Sequence, residues 1–184
     1  MNLLYRFKKN IRIIVGAGGT HQEGFLSTDV DVLDIRKISD WKKLFKRNSL
    51  NIVLAEHVLE HLSKRELDQA LRNVYEYLMP GGFIRIAIPD KSRKDKKYLK
   101  AVKPPRDGHK SFFNLEEITK ILDKIGFKVC PLEYHDSQGK FHSNNWNKKD
   151  GFIKRSIKYD KQKDFWNGKY FYTSLILDAV KPLS

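Results

Sequence analysis

Short apolar runs alternate with amphipathic stretches along most of this chain. IRIIV at 11–15 is a β-branched run that halts at Gly16-Ala17-Gly18-Gly19, as a buried strand entering a tight loop does. FLSTDV from Phe25, VLDI at 32–35 and NIVLA at 51–55 read as further strands. Between the last two, Ser39 caps a short predicted helix in which Trp41, Leu44 and Phe45 share a face. Ser63 and Glu66 then form an S-x-x-E capping box that opens a longer helix, with Leu67, Ala70, Leu71, Val74 and Leu78 on one stripe. Pro80-Gly81-Gly82 ends it, and FIRIAIP follows as a strand. Asn114 and Glu117 repeat the capping geometry for a helix that turns Ile118, Ile121, Leu122 and Ile125 inward and stops at Gly126. FKVCPLEY and the alternating YFYTSLILDAV complete a count of seven strands.

Strands alternating with helices imply βαβ units, hence a doubly wound, mostly parallel α/β sheet with helices on both faces. At 184 residues and 21.6 kDa, one domain is expected over the whole chain, interrupted by a mobile lysine-rich connection at 91–110 and a polar insert at 135–169. In such sheets ligands bind beyond the carboxyl ends of the strands, so the loops after residues 15, 30, 55 and 88 are the ones to inspect.

Composition narrows the function classes. The single cysteine, Cys130, excludes a disulfide framework and any multi-cysteine metal site, and its strand position predicts a buried, inert thiol. No apolar run approaches the roughly 18 residues that span a bilayer. MNLLYRFKKN lacks the apolar core of a signal peptide, so a cytoplasmic protein is expected. The net charge of +14 would suit a polyanion, but 26 lysines against 10 arginines are a poor set for bidentate phosphate or base recognition.

Four loops carry candidate chemistry. Gly16-x-Gly18 allows a sharp turn and close backbone approach to a ligand, yet only nine residues, 16–24, precede the next strand, too few for a crossover helix over a dinucleotide. Asp29 closes the second strand, where a carboxylate can accept two ribose hydroxyls. His57-Val-Leu-Glu60-His61 matches an inverted zinc-peptidase pattern, but that chemistry needs both histidines on one helix, and the fresh cap at Ser63 argues against it, so no metal ligand is assigned. His109 precedes the helix that feeds the sixth strand, and the topology puts it on the same sheet edge as His57. The two histidines are therefore expected to flank one cleft beside Gly16–Gly18.

The ordered segments IIVGAGGT, GFLSTDV, LDI, NIVLAEHVLEHLS and YLMPGGFIRIAIPD resemble those of class I S-adenosylmethionine (SAM) dependent methyltransferases, in particular short ones associated with surface-polysaccharide biosynthesis. The likeness runs over about residues 11–90 and extends through HKSFFNLEEITKILDKIGFKV to about 129. It departs from the usual pattern at Ile14, where an acid is common, and in the brief first crossover.

The resemblance implies a seven-stranded Rossmann-like sheet with an antiparallel last strand, and SAM as cofactor. Gly16, Ala17 and Gly18 would lie against the methionine part, Asp29 would hold the ribose, and Asp34 with Ile35 would edge the adenine. Glu56 and His57 would border the methyl group and the acceptor. A hydroxyl acceptor needs a base near neutrality, a role that suits His57 or His109. A small-molecule or saccharide-like acceptor is the leading expectation. The alternatives are an RNA-binding or RNA-modifying module, motivated by the charge, and a non-catalytic partner protein on the same fold.

Overall fold

In a computed structural model, which describes residues 10–159 and 174–183, seven strands form one sheet in the order β2-β1-β3-β4-β7-β5-β6. They are β1 (Ile11–Val15), β2 (Leu26–Thr28), β3 (Leu50–Glu56), β4 (Leu78–Pro89), β5 (Lys128–His135), β6 (Phe141–Ser143) and β7 (Ser174–Val180). The helices are α1 (Ile38–Leu44), α2 (Lys64–Tyr77), α3 (Lys96–Val102) and α4 (Leu115–Ile125). β1 pairs in parallel with β2 and β3, and β3 with β4. The other three pairings, β4 with β7, β7 with β5 and β5 with β6, are antiparallel.

The expected arrangement thus needs two corrections. Half of the strand pairings are antiparallel, because β7 inserts between β4 and β5 and the short hairpin strand β6 adds an edge. The expected double winding is also not seen for α1, α2 and α4, whose buried parts join one cluster on one face. Ile13, Val53, Ile86 and Leu177 point into it, alongside Trp41, Leu71 and Ile118. Their strand neighbours Ile14, Ile52, Leu54 and Ile176 face the other way and meet Phe25, Phe83, Trp146 and Ile153, all from strands or loops. A crossover of ten residues from β1 to β2 leaves no room for a helix on that face.

Both expected capping boxes are present. Ser63 and Glu66 bond reciprocally at the start of α2, and Asn114 and Glu117 do so at α4, which ends on Gly126 in the left-handed conformation. The cap proposed at Ser39 is absent: α1 begins after Lys37 with no side-chain cap, and the Ser39 hydroxyl bonds Asp40 instead.

VLDI is a turn and not a strand, since the Asp29 carbonyl accepts the N–H groups of Val32 and Leu33. The 91–110 connection holds α3, whose Tyr98 and Val102 are buried, so it is not a mobile linker. Cys130 points outward from β5 and is exposed, contrary to the buried thiol expected. Residues 170–173 of the expected last strand and 160–169 of the polar insert lie outside the described residues.

The second face is polar at its centre. Arg85 of β4 is 2% exposed and donates both arms of its guanidinium to the Asp178 carboxylate of β7 at 2.7 Å. Its remaining amine reaches the carbonyls of Gly151 and Asn147, tying the segment 144–157 down across the sheet. Glu133, fully buried, accepts from the Ile157 N–H and the Trp146 indole. Burial pushes the Glu133 carboxyl upward against those two bonds.

Candidate active site

The parallel strands end together, so the loops after β1, β2 and β3 share one edge. Val15 pairs with Thr28 on one side and Ala55 on the other, which brings Gly16, Asp29 and Glu56 side by side. Gly16 has φ +57, and a Cβ there would lie 2.6 Å from Val58, so the β1 turn and the β3 loop require glycine at this point. Over Gly18 and Gly19, by contrast, the space a Cβ would occupy is open. The Gly18 N–H donates to the Asp29 carboxylate at 3.1 Å, holding that side chain across the loop while most of its lone-pair sites remain available.

Three cavities meet at His57. The first, of about 340 Å³, lies between Gly16, Asp29, Asp34, Ile35 and Val58. The second, of about 180 Å³, sits over Gly16 and Ala17 and is walled by Glu56 and by 152–155. The third, of about 290 Å³, is bounded by Glu60, His61, Tyr98, His109 and Arg155. Individually they are small for a ligand site, but the first two share Gly16 and all three share His57.

The expected site residues fall around these cavities in different states. Asp34 lines the first, but its carboxylate is 3% exposed and gripped by both arms of Arg36. That fork holds the Asp34 carboxyl down to about 2, so Asp34 is a structural anion and not a free acceptor for a ligand base. Ile35 is held by its carbonyl, which accepts from Trp41 Nε1 and Asn73 Nδ2. Glu56 spends its two oxygens on the N–H groups of Arg155 and Lys154, at 2.8 and 3.1 Å. It therefore clamps the overlying segment.

His57 takes the left-handed conformation at φ +55, which ends β3 and breaks any helix through 57–61. Its Nδ1 lies 2.7 Å from Glu60 Oε1, and its Nε2 lies 2.9 Å from the Ser174 hydroxyl. With both nitrogens engaged inside the protein, the general-base role expected of His57 does not fit the geometry. His109 fits better. It is 8% exposed, its Nδ1 must donate to the Val102 carbonyl at 2.6 Å, and among the described residues no hydrogen bond takes up the Nε2 lone pair. His57 and His109 do line one cavity, because the N–H groups of Lys110 and Ser111 donate to the Glu60 carbonyl and staple the His109 loop to the end of β3, but that cavity is not the expected one beside Gly16–Gly18, which His109 does not reach.

Sequence reasoning missed four contributors. Gln22 exchanges two amide hydrogen bonds with the backbone of Phe152, at 2.7 and 2.8 Å, fastening the overlying segment to the glycine loop. Arg155 lines two cavities at once. Tyr98 and His61 close the third. Only His61 had a signal, its place in H-x-x-E-H; the rest arrive from loops whose composition says nothing of where they land.

The sequence matches the protein family described as a methyltransferase domain over residues 16–132. No curated protein matches it. Among solved structures, a SAM-dependent methyltransferase from Archaeoglobus fulgidus superposes with a TM-score of 0.56 at 18% identity, over 96% of this chain and 88% of that one. A SAM-dependent methyltransferase from Thermotoga maritima, described as a possible histamine N-methyltransferase, gives 0.54 at 14% identity, over 94% and 83%. The CurJ carbon methyltransferase gives 0.53 at 15% identity, over 96% of this chain and half of that one. At these identities the likeness is one of fold.

Proposed function

The chain belongs to the methyltransferase-domain family and is an enzyme that uses SAM, and we propose that it methylates a hydroxyl of a small, saccharide-like acceptor. One observation carries this reading. The cavities beside Asp29 and over Gly16-Ala17 connect, at His57, to a separate cavity walled by imidazoles. Two compartments that share the walls His57, His61 and Arg155 suit a donor and an acceptor that meet end to end.

The residues present fit SAM. Asp29 keeps acceptor sites for ribose hydroxyls, Gly18 and Gly19 present bare backbone to open space, and Leu33, Ile35 and Val58 give the first cavity apolar walls. SAM, when bound, supplies a methyl carbon on a sulfonium sulfur, open to in-line displacement. The protein's own part is alignment, which is worth about 7–11 kcal/mol when both reactants are held. Gly16, Ala17 and Asp29 would hold the donor. His57, locked between Glu60 and Ser174, would fix the wall where the two compartments meet. His61 and His109 stand beside the acceptor space, where they can take up or polarise a hydroxyl proton.

Calorimetric titration of the full chain with SAM and S-adenosylhomocysteine tests the donor half. Asp29→Ala is expected to weaken binding by about tenfold or more, about 1.4 kcal/mol, without unfolding the protein, because the Gly18 N–H it releases is solvent-exposed. No binding of either compound at millimolar concentration would overturn the donor site. Unchanged affinity in the variant would remove Asp29 from it.

A further inference from the structure

Glu60 has an uncompensated atom. It is 1% exposed, and Oε1 is met by His57, but Oε2 is buried without a hydrogen-bond partner among the described residues. A carboxylate oxygen taken out of water with nothing facing it is costly, unless the site is built for something else. Next to it stand two imidazoles. His61 follows Glu60 directly on the short turn Leu59–His61, and the stapled loop brings in His109, with the two rings edge to face at a centroid distance of 5.0 Å. One donor atom from each of Glu60, His61 and His109 lies within 4.8 Å of the others. Ligands at about 2.0–2.2 Å from a common ion would sit a little closer than that, within the reach of small side-chain rotations.

We propose that Glu60, His61 and His109 bind one divalent transition-metal ion of the Zn²⁺ or Co²⁺ kind, with an open position turned to the acceptor cavity. The bonds behind each ligand support this. The His109 Nδ1–H donates to a backbone carbonyl, which fixes the tautomer and aims Nε2, as is usual for a ligating histidine. His57 holds the other oxygen of Glu60, orienting Oε2. Two imidazoles and one carboxylate favour a borderline transition ion over Mg²⁺ or Ca²⁺, which take all-oxygen sets. The H-x-x-E-H pattern therefore contributes differently from its peptidase use: the left-handed His57 supports, and the third ligand comes from 48 residues beyond His61.

Resting on the reading of this cavity as the acceptor site, the ion gives the hydroxyl a place to bind and acidifies it. The bound O–H gives its proton to water. The oxygen pair forms the new O–CH₃ bond as the C–S bond of the donor breaks, and that bond's electrons stay on sulfur. His61 and His109 then serve as ligands and not as bases.

The test uses the full chain without a polyhistidine tag, treated with chelator, dialysed and titrated with Co²⁺ while its visible absorption is followed. S-adenosylhomocysteine binding is measured calorimetrically on the same samples. Expected is a d–d band saturating at one equivalent and displaced by Zn²⁺, with Co²⁺ affinity falling at least tenfold in both His109→Ala and the less buried His61→Ala, while S-adenosylhomocysteine binding persists in the wild type and in His109→Ala, whose side chain lies outside both donor cavities. Absence of stoichiometric Co²⁺ binding in a chain that still binds S-adenosylhomocysteine would overturn the metal site and leave the methyltransferase reading intact. Wild-type Co²⁺ affinity in both variants would overturn the ligand assignment. Metal binding with no S-adenosylhomocysteine binding would instead break the donor reading and spare the metal.

Discussion

The two faces of the sheet are built from the same strands by different physics. One face sets Ile13, Val53, Ile86 and Leu177 against three helices in a mainly apolar cluster, with Trp41 and Asn73 bonding the Ile35 carbonyl at its edge. Packing there is non-directional, so many sequences of the right volume would serve. The other face is centred on the Arg85–Asp178 pair and on Glu133, and the segment covering it is attached through individual hydrogen bonds. Each of those bonds specifies one partner. The face that needs only apolar volume gives stability, and the face built from directional bonds places 152–155 over the glycine loop.

The sharpest way to break this contrast is Arg85→Ala. It strands the largely buried Asp178 carboxylate and frees the Gly151 and Asn147 carbonyls together, and a loss of about 3 kcal/mol is expected in urea unfolding. Changing both partners, Arg85→Met with Asp178→Leu, should recover most of the stability while leaving 144–157 poorly attached. Amide exchange at Lys154 and Arg155 would read this as lost protection with a near-normal unfolding midpoint. If the double variant protects those amides fully, the directional account of this face is wrong.

Gly151→Ala acts on the same segment from the other side. Gly151 has φ +105, and a Cβ there would sit 2.4 Å from Leu54 on the sheet, so about 1–3 kcal/mol of strain and overpacking is expected. SAM affinity should fall with it, because the segment walls the cavity over Gly16 and Ala17. Unchanged thermal unfolding and unchanged SAM affinity would together refute this.

The smallest effect belongs to the helix-covered side, where Asp34 is held at about 2 by Arg36. The folded value lies below the unfolded one of about 3.9, so the contribution is present above pH 4 and is lost as pH falls toward 2. Because Arg36 is itself more than a third exposed, solvent screening reduces the contribution to about 1 kcal/mol. Asp34→Asn should lower stability by that amount at pH 7 and converge with the wild type near pH 2, as measured by denaturation across that range.

Legibility in the sequence follows the same division. The capped helices could be read because a capping box and an apolar stripe are local, with partners three or four residues apart; Ser63 with Glu66 and Asn114 with Glu117 show it. The glycine loop, Asp29 and the histidine pair were legible for a related reason, since parallel topology alone puts those loops on one edge. What could not be read is long-range and directional. Gln22 finds Phe152 across 130 residues, and nothing in QEG or GFI announces it. VLDI has the apolar content of a strand, but one carbonyl at Asp29 turns it. Cys130 alternates correctly along β5 and still faces outward, because its neighbour Val129 takes the helix-covered side and Cys130 points to the other face, which no described residue covers there.

The bond from the Gly18 amide to Asp29 has a thermodynamic consequence. A free surface aspartate samples several rotamers, and a ligand that recruits it must quench that motion at about 0.5–1.5 kcal/mol per side chain ordered. Here the quenching is done during folding, by a backbone group that stays in place whether or not a ligand arrives. In the donor site proposed above, ribose hydroxyls meeting Asp29 would therefore find an acceptor with little residual entropy to lose, and the association would gain affinity without an additional contact.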